Sequence, residues 1–370
     1  MRASPKDSGK PLILYYVSGH GFGHAARASR VIRELIKRYD VNVVIRTMAP
    51  AFIFKHAVGS DVTLARADVD SGPAQSDCLH TDIPATLERI TRHLRDFDAT
   101  AQKEAEYAAS LNPGVIVADI APLGVEVGSL LKKPTIVVAN FLWDWIYGDY
   151  AAHNPQFAQI SRRFTQIYSK ATRILRTPLS GGMDGYSNIT DIPLIAPSIK
   201  KTREAAREEL GLSKDEKFVL VSLGGIGSER FFSRLDDRIT KFNMMILGQG
   251  ERRSGNVFQF DCANALHNDL LSAADVVVGK LGYGLCSELI AQKRPLLYTH
   301  RADFVEYNVL NDGLRKYVAV DTLPPDEFFE GSLDEPLTQL LGSRHPTAET
   351  PLDGARIAAA IITSHTEKRP

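Results

Sequence analysis

One stretch near the start of the chain restricts its fold more than any other. Leu12–Val17 is a short apolar run of the kind buried on both faces of a sheet. Directly after it stands the turn Gly19-His20-Gly21-Phe22-Gly23-His24. Beyond the turn, Ala28, Val31, Ile32, Leu35 and Ile36 recur with helical spacing, while Arg27, Arg30, Arg33, Lys37 and Arg38 fill other positions. Strand, glycine turn and helix start form the unit in which α/β proteins hold ligands, outside the carboxyl ends of the strands. Three glycines let the backbone approach a substrate, and two histidines in the turn point to chemistry.

Other glycine-loop readings fit less well. A phosphate-binding P-loop closes with Gly-Lys-Ser/Thr, which is missing here. A dinucleotide fingerprint can be drawn as Gly21-x-Gly23-x-x-Ala26, but it calls for an acidic residue after the second strand. That strand, Val41–Ile45, runs into Arg46 and Thr47 instead.

The same alternation continues. Phe52–Ala57 reads as a helix and Val62–Ala65 as a short strand, and residues 68 to 84 form a long polar loop of the kind that usually has a function. A helix over Pro84–Ser110 precedes the strand Val115–Ala118, Asp119, and a helix reaching Leu131. The strand Thr135–Ala139 leads into the aromatic segment Asn140–Tyr147, which holds both tryptophans of the chain. That segment suits either a packed loop or a platform for a sugar or lipid. Residues 178 to 214 break the pattern with Pro178, Gly181, Gly182, Gly185, Pro193 and Pro197, followed by the helix-like run Lys200–Leu210. The alternation then restarts with strands at Phe218–Leu223, Met244–Leu247, Val257–Phe260 and Asp275–Val278, a helix over Leu285–Gln292 and a strand at Pro295–Tyr298.

Two sets of strands and helices in 370 residues imply two Rossmann-like domains facing one cleft. The expected division is a disordered tail over 1–10, a first domain over 11–194, a second over 195–350, and a helix over 351–366 that closes the second domain or crosses back to the first. Zero formal charge argues against nucleic acid as a partner. Three widely spaced cysteines, Cys78, Cys262 and Cys286, form no metal or disulfide framework and fit a reducing cytoplasm. No apolar run reaches the ~18 residues of a membrane helix, which leaves only peripheral membrane contact open.

Specific residues carry a family resemblance. Gly19–His24 resembles the Gly-Gly-Thr-Gly-Gly-His turn of the bacterial N-acetylglucosaminyltransferase that makes lipid II, in length and in its closing Gly-His. Leu271–Leu289, reading LSAADVVVGKLGYGLCSEL, is similar to the late motif of GT-B nucleotide-sugar glycosyltransferases. Four stretches, YYVSGHGFGHAAR, NFLWDWIY, GKLGYGLCSE and RADFVE, resemble the glycosyltransferase-like N-terminal half of plant L-arabinokinases. The resemblance implies an α/β chain of GT-B architecture.

What it implies about the site follows residue by residue. His24 matches the histidine that takes the acceptor's proton in inverting members, a task suited to a group with pKa near ~6.5. Asp119 matches an aspartate that orients that histidine, and it also suits a helix N-cap. His20 is the rival base, and Gly21, Gly23, Asn140, Trp143 and Asp144 complete the acceptor loop. Donor binding falls to Gly224, Gly225, Gly227, Gln249, Phe260, Lys280, Gly282, Tyr283, Gly284, Ser287, Glu288 and Glu306. The glycine amides suit a diphosphate and Glu288 matches a glutamate that accepts from ribose hydroxyls. Glu306 is followed by Tyr307 where the class often has glutamine, a departure that bears on the sugar. The reading places no Asp-x-Asp pair at a strand end, so neither metal nor other cofactor is expected. The implied function is a metal-independent, inverting transfer from a nucleotide sugar, UDP-linked by preference, to a sugar, lipid-linked or small-molecule hydroxyl. The alternatives are a non-hydrolysing sugar-nucleotide 2-epimerase and a sugar-nucleotide sensor without turnover.

Overall fold

The computed structural model describes residues 9–59, 62–76, 79–223, 238–248, 250–261, 267–301 and 303–366. They divide into two units, one from Met1–Ala74, Thr81–Ala196 and Thr350–Pro370, the other from Gln75–His80 and Pro197–Glu349.

The first unit opens with β1 (Leu12–Val17), all six residues buried, and α1 (Phe22–Arg38). Then follow β2 (Asn42–Thr47), α2 (Ala51–Val58), β3 (Thr63–Arg66), α3 (Ile83–Leu111), β4 (Val115–Asp119), α4 (Pro122–Leu131), β5 (Thr135–Ala139), α5 (Trp143–Asp149), α6 (Gln156–Tyr168), β6 (Arg173–Arg176) and β7 (Ile189–Asp191). The seven strands form one parallel sheet in the order β3-β2-β1-β4-β5-β6-β7. Its connections run outward in opposite directions from β1 and β4, and the carboxyl ends of that pair form the switch point where such sheets bind ligands. Asp82 caps α3 by accepting from the Ala85 N–H (2.9 Å), with Pro84 in the first turn where its missing N–H costs nothing.

The second unit holds α7 (Arg203–Glu209), β8 (Phe218–Ser222), β9 (Asn243–Gly248), β10 (Arg252–Ser254), β11 (Val257–Asp261), α8 (His267–Ala273), β12 (Val276–Gly279), α9 (Tyr283–Gln292), β13 (Leu296–Thr299), α10 (Glu306–Leu314), β14 (Val320–Leu323), α11 (Pro325–Glu330) and α12 (Asp334–Gly342). Its sheet runs β10-β11-β9-β8-β12-β13-β14, parallel except for β10, and its switch point lies between β8 and β12.

The last helix, α13 (Gly354–Thr363), belongs to the first unit. Ala355, Ala358, Ala359 and Ile362 pack in one core with Ile13, Ala28, Ile32 and Val115. The segments next to the crossings at Ala196–Pro197 and Glu349–Thr350 lie side by side. The Leu194 N–H donates to the Pro351 carbonyl (3.1 Å), and Gly354 donates to Leu194 (3.2 Å). A side chain at Gly354 would put its Cβ 2.0 Å from the Pro193 carbonyl oxygen, so the crossings touch backbone to backbone.

Most strand and helix positions agree with the pattern reading to within a residue or two. The short elements β6, β7, β10 and β14 do not follow from it. They are three or four residues long and carry charges, so neither alternation nor a continuous apolar run marks them.

Asp275, just ahead of β12, ties the second unit together. Its carboxylate accepts from Arg203 Nη1 (2.7 Å), Arg207 Nη2 (2.6 Å) and the Phe218 N–H (2.8 Å). The Arg207 side chain is 1% exposed and also donates to the Ala273 and Lys214 carbonyls. Removing one partner leaves the other charge buried, so Asp275→Ala is expected to destabilise this unit by about 3–5 kcal/mol. Urea unfolding followed by circular dichroism would measure it, and a midpoint within error of wild type would refute the assignment.

Candidate active site

The turn after β1 delivers its histidine through backbone geometry. Gly21 caps α1 at φ 79°, in the region glycine alone enters freely, and His24 follows in the first helical turn. Asp119, the last residue of the neighbouring β4, has no exposed surface. His24 Nδ1 lies 2.9 Å from Asp119 Oδ1, so the two residues singled out as base and orienting group are in hydrogen-bond contact.

Arg27, one turn further along α1, completes the cluster. Its Nε donates to Asp119 Oδ2 (2.8 Å), Nη2 to Oδ1 (2.6 Å), and Nη1 to Asn140 Oδ1 (2.5 Å). Arg27 itself is 2% exposed. Burial by itself would raise the Asp119 carboxyl, but the charge and hydrogen bonds of Arg27, with those of His24, outweigh it and hold it below the ordinary range. An ionised carboxylate only accepts, so Nδ1 of His24 carries a hydrogen, and in the neutral ring the lone pair is on Nε2. Arg27 Nη2 also lies 3.2 Å from that Nδ1. With donors on both sides this is a contact of two N–H groups converging on one carboxylate. The sequence reading placed Arg27 among the polar positions of α1; nothing in its spacing separated it from Arg30 or Arg33.

A second buried carboxylate went unread. Asp70 accepts from Trp143 Nε1 (3.0 Å) and from the Ser18 hydroxyl, and the Ser18 oxygen accepts the His20 N–H (3.1 Å). Asp70 thus ties the turn to the aromatic segment. Burial raises its carboxyl above the ordinary range, against the lowering effect of these bonds. The Tyr147 hydroxyl donates to the Ser71 carbonyl, and the His20 ring lies over Gly72 and edge-on to Trp143, 5.5 Å between centroids. Asp68 and Asp70 make an Asp-x-Asp spacing that begins two residues past β3, beyond the strand end where the sequence reading places none. Asp68 is exposed and Asp70 turned inward, so they are not presented together.

Other residues expected in the acceptor loop are placed differently. Phe141, Trp143 and Tyr147 are 3%, 0% and 0% exposed, so of the two alternatives for the aromatic segment it is packing that holds. Asp144 accepts from the Tyr186 hydroxyl (2.5 Å), Thr165 (3.1 Å) and the Trp145 N–H (2.9 Å), and is not brought to the histidines. The exposed apolar groups beside the turn are Phe22, Met48 and Phe52, with the two phenyl rings edge to face at 6.1 Å.

In the second unit, Gly279 at the end of β12 pairs with Ser222 at the end of β8. A Cβ on Gly279 would come 2.9 Å from the Ser222 carbonyl oxygen, so glycine allows the strands to close there. The Lys280 N–H donates to that carbonyl (3.2 Å). Gly282 caps α9, whose first turn carries Tyr283 and Gly284. Ser287 donates to the Gly284 carbonyl (2.7 Å), within its own helix. Glu288 Oε2 lies 3.0 Å from His267 Nδ1, and His267 Nε2 lies 2.9 Å from Ser222 Oγ. Glu306 begins α10 and is buried, and Phe260 sits half-buried on β11. Gly224, Gly225, Gly227 and Gln249 lie outside the described residues. His267 escaped the sequence reading because a lone histidine at a helix start carries no periodic signal.

Residues 12–312 match the model of glycosyl transferase family 1. The chain belongs to that family. It is 29% identical to an L-arabinokinase of Arabidopsis thaliana over 362 residues, 96% of this chain and 34% of that protein. It is 28% identical over 111 residues to the UDP-N-acetylglucosamine–N-acetylmuramyl-(pentapeptide) pyrophosphoryl-undecaprenol N-acetylglucosamine transferase of Christiangramia forsetii, 27% of this chain and 30% of that one. The chain therefore spans about a third of the length of the curated relatives it matches. Among solved structures, the calicheamicin glycosyltransferase CalG4 superposes with TM-score 0.61 at 13% identity, covering 97% of this chain and 95% of its own. The spinosyn rhamnosyltransferase SpnG gives 0.60 at 14%, covering 97% and 96%. The fold of this glycosyltransferase is GT-B. Among the described residues no helix is long and apolar enough to cross a membrane, and no cluster of metal-ligating side chains occurs.

The depressed Asp119 carboxyl has a pH signature. Its contribution to stability is present above the unfolded value of ~3.9 and is lost as pH falls from there through the folded value. In Arg27→Met burial dominates and the carboxyl titrates above its ordinary value, so acid unfolding is expected at higher pH than in wild type. Circular dichroism across an acid titration measures this; an unchanged acid midpoint would mean that Arg27 does not hold the charge.

Proposed function

We propose that this glycosyltransferase moves a sugar from a nucleotide-sugar donor, UDP-linked, to an acceptor hydroxyl, with inversion and without a metal ion. The observation that carries the reading is the His24–Asp119 contact at the switch point of the first sheet, 2.9 Å long and backed by Arg27. Nε2 of His24 has the lone pair to take the hydroxyl proton as the acceptor oxygen attacks the anomeric carbon. The bond to the departing diphosphate breaks in the same displacement, which inverts the centre. Asp119 then faces an imidazolium, and its charge favours that state. The α9 N-terminus at Gly282, with its positive dipole end, suits the charge left on the diphosphate. Phe22, Met48 and Phe52 favour an acceptor with an apolar part beside its hydroxyl, which fits a lipid-linked or small-molecule acceptor.

His24→Ala is expected to leave UDP binding nearly intact and to lower transfer roughly 10²–10⁴-fold. Asp119→Asn should also lower transfer, and the double variant should be little worse than His24→Ala, because an orienting group has nothing left to orient. Product analysis at saturating donor measures all three. Full activity in His24→Ala together with loss in His20→Ala would move the base to His20. Conversion of the donor without any acceptor would instead mark a 2-epimerase.

Transfer is also expected to survive excess EDTA, with the amide-lined helix start in place of a divalent ion. Activity abolished by chelation and restored by manganese or magnesium would reverse that part of the reading.

A further inference from the structure

Ser222, His267 and Glu288 stand in series at the second switch point, joined by a hydrogen bond and an ion-pair contact, and His267 is the link that no motif assigned. Its side chain is 31% exposed, between a serine at the end of β8 and a glutamate on α9 that is 11% exposed. The distances are 2.9 Å from Ser222 Oγ to Nε2 and 3.0 Å from Nδ1 to Glu288 Oε2.

The chemistry of the three groups restricts how protons are shared. An ionised Glu288 only accepts, so Nδ1 carries a hydrogen. With a neutral ring, Nε2 must accept, and the Ser222 hydroxyl hydrogen points to it. With a protonated ring, Nε2–H donates to Ser222 Oγ, and the hydroxyl hydrogen turns to another acceptor. One proton taken from solvent therefore changes Ser222 from a group donating into the protein to one donating outward. Ser222 stands beside Gly279, at the mouth where an anionic diphosphate would meet the α9 N-terminus.

From this geometry we infer that His267 takes up a proton as the nucleotide sugar binds, positioning Glu288 toward the ribose and Ser222 toward the diphosphate. The inference rests on the donor site proposed above. His267 is a positioning residue that links two donor contacts through one ring. The charged groups on the surrounding elements leave this role to it. On α7, Arg203 and Arg207 are bound to Asp275. Lys201, ahead of α7, bridges Glu209 and Asp269, the latter being the acidic residue of α8 itself. Glu288 is the charge that α9 brings to the ring. An arriving diphosphate and Glu288 both favour the imidazolium.

Isothermal titration calorimetry of the full chain with UDP-glucose tests this, in buffers of low and high ionisation enthalpy at about pH 7.5, where a free histidine is mostly neutral. The diphosphate of a nucleotide sugar does not titrate in this range, so any proton counted is taken up by the protein. Wild type is expected to take up about half a proton or more per nucleotide. His267→Gln and Ser222→Ala should each bind about two- to tenfold more weakly and lose the uptake. Binding by wild type with no buffer dependence overturns the inference and leaves the donor site standing, and so does uptake that persists in His267→Gln. If the wild-type chain binds none of UDP-glucose, dTDP-glucose and GDP-mannose, the donor site itself falls.

Discussion

A carboxylate with no exposed surface, held by a guanidinium that is itself buried, is the constraint from which the first unit's site follows. Taking Asp119 out of water costs several kcal/mol, and only a close, well-bonded cation offsets that. Arg27 supplies it from α1, so the first helix must lie with that face against the end of β4. His24, three residues earlier on the same face, is carried to the carboxylate by the same packing. The tautomer of the histidine then follows from the ionisation of its partner. One interaction thus orients the helix, keeps a buried charge ionised and, in the neutral ring, places the lone pair on Nε2.

The arrangement has an internal opposition. Asp119 stabilises a positive charge on His24, while Arg27 already neutralises part of the field that does so. A carboxylate without the arginine would favour the imidazolium more strongly, but burial would then push its own proton affinity up until it ceased to be an anion. The second unit resolves the same problem differently. Glu288, 11% exposed at its side chain, is paired with the 31% exposed His267. Each sheet thus carries a histidine–carboxylate pair near its switch point, the first more deeply buried than the second.

Much of this could be read along the chain. The strands β1, β4, β5, β8 and β12 are continuous apolar runs, which only a sheet covered on both faces explains, and the sequence after β1, β8 and β12 is marked by glycine. His24 and Asp119 were legible because each stands at a strand end inside a recognisable pattern. Arg27 was not, since an arginine on a charged helix looks the same whether it faces water or a buried carboxylate 92 residues away. Asp70 lay in a polar loop, where the sequence holds no sign that residues 69 to 73 are buried. Trp143 misled in the other direction. Aromatic rings at a strand end suggest a binding platform, and only the packing of Phe157 and Phe164 against Tyr147 shows that the segment is core.

The return of α13 to the first unit sets an order of events during synthesis. The core around β1 and α1 includes Ala355, Ala358, Ala359 and Ile362, so that unit lacks one wall until α13, more than 300 residues after β1, has been made. At roughly 5–20 residues per second, that is a delay of the order of tens of seconds after β1 leaves the ribosome. During that interval the apolar side of α1 that α13 will cover faces solvent. The second unit, whose strands and helices are contiguous from Pro197 apart from the short Gln75–His80 segment, is synthesised within that delay. The second unit can therefore complete its core before the first, although β1 is translated earlier.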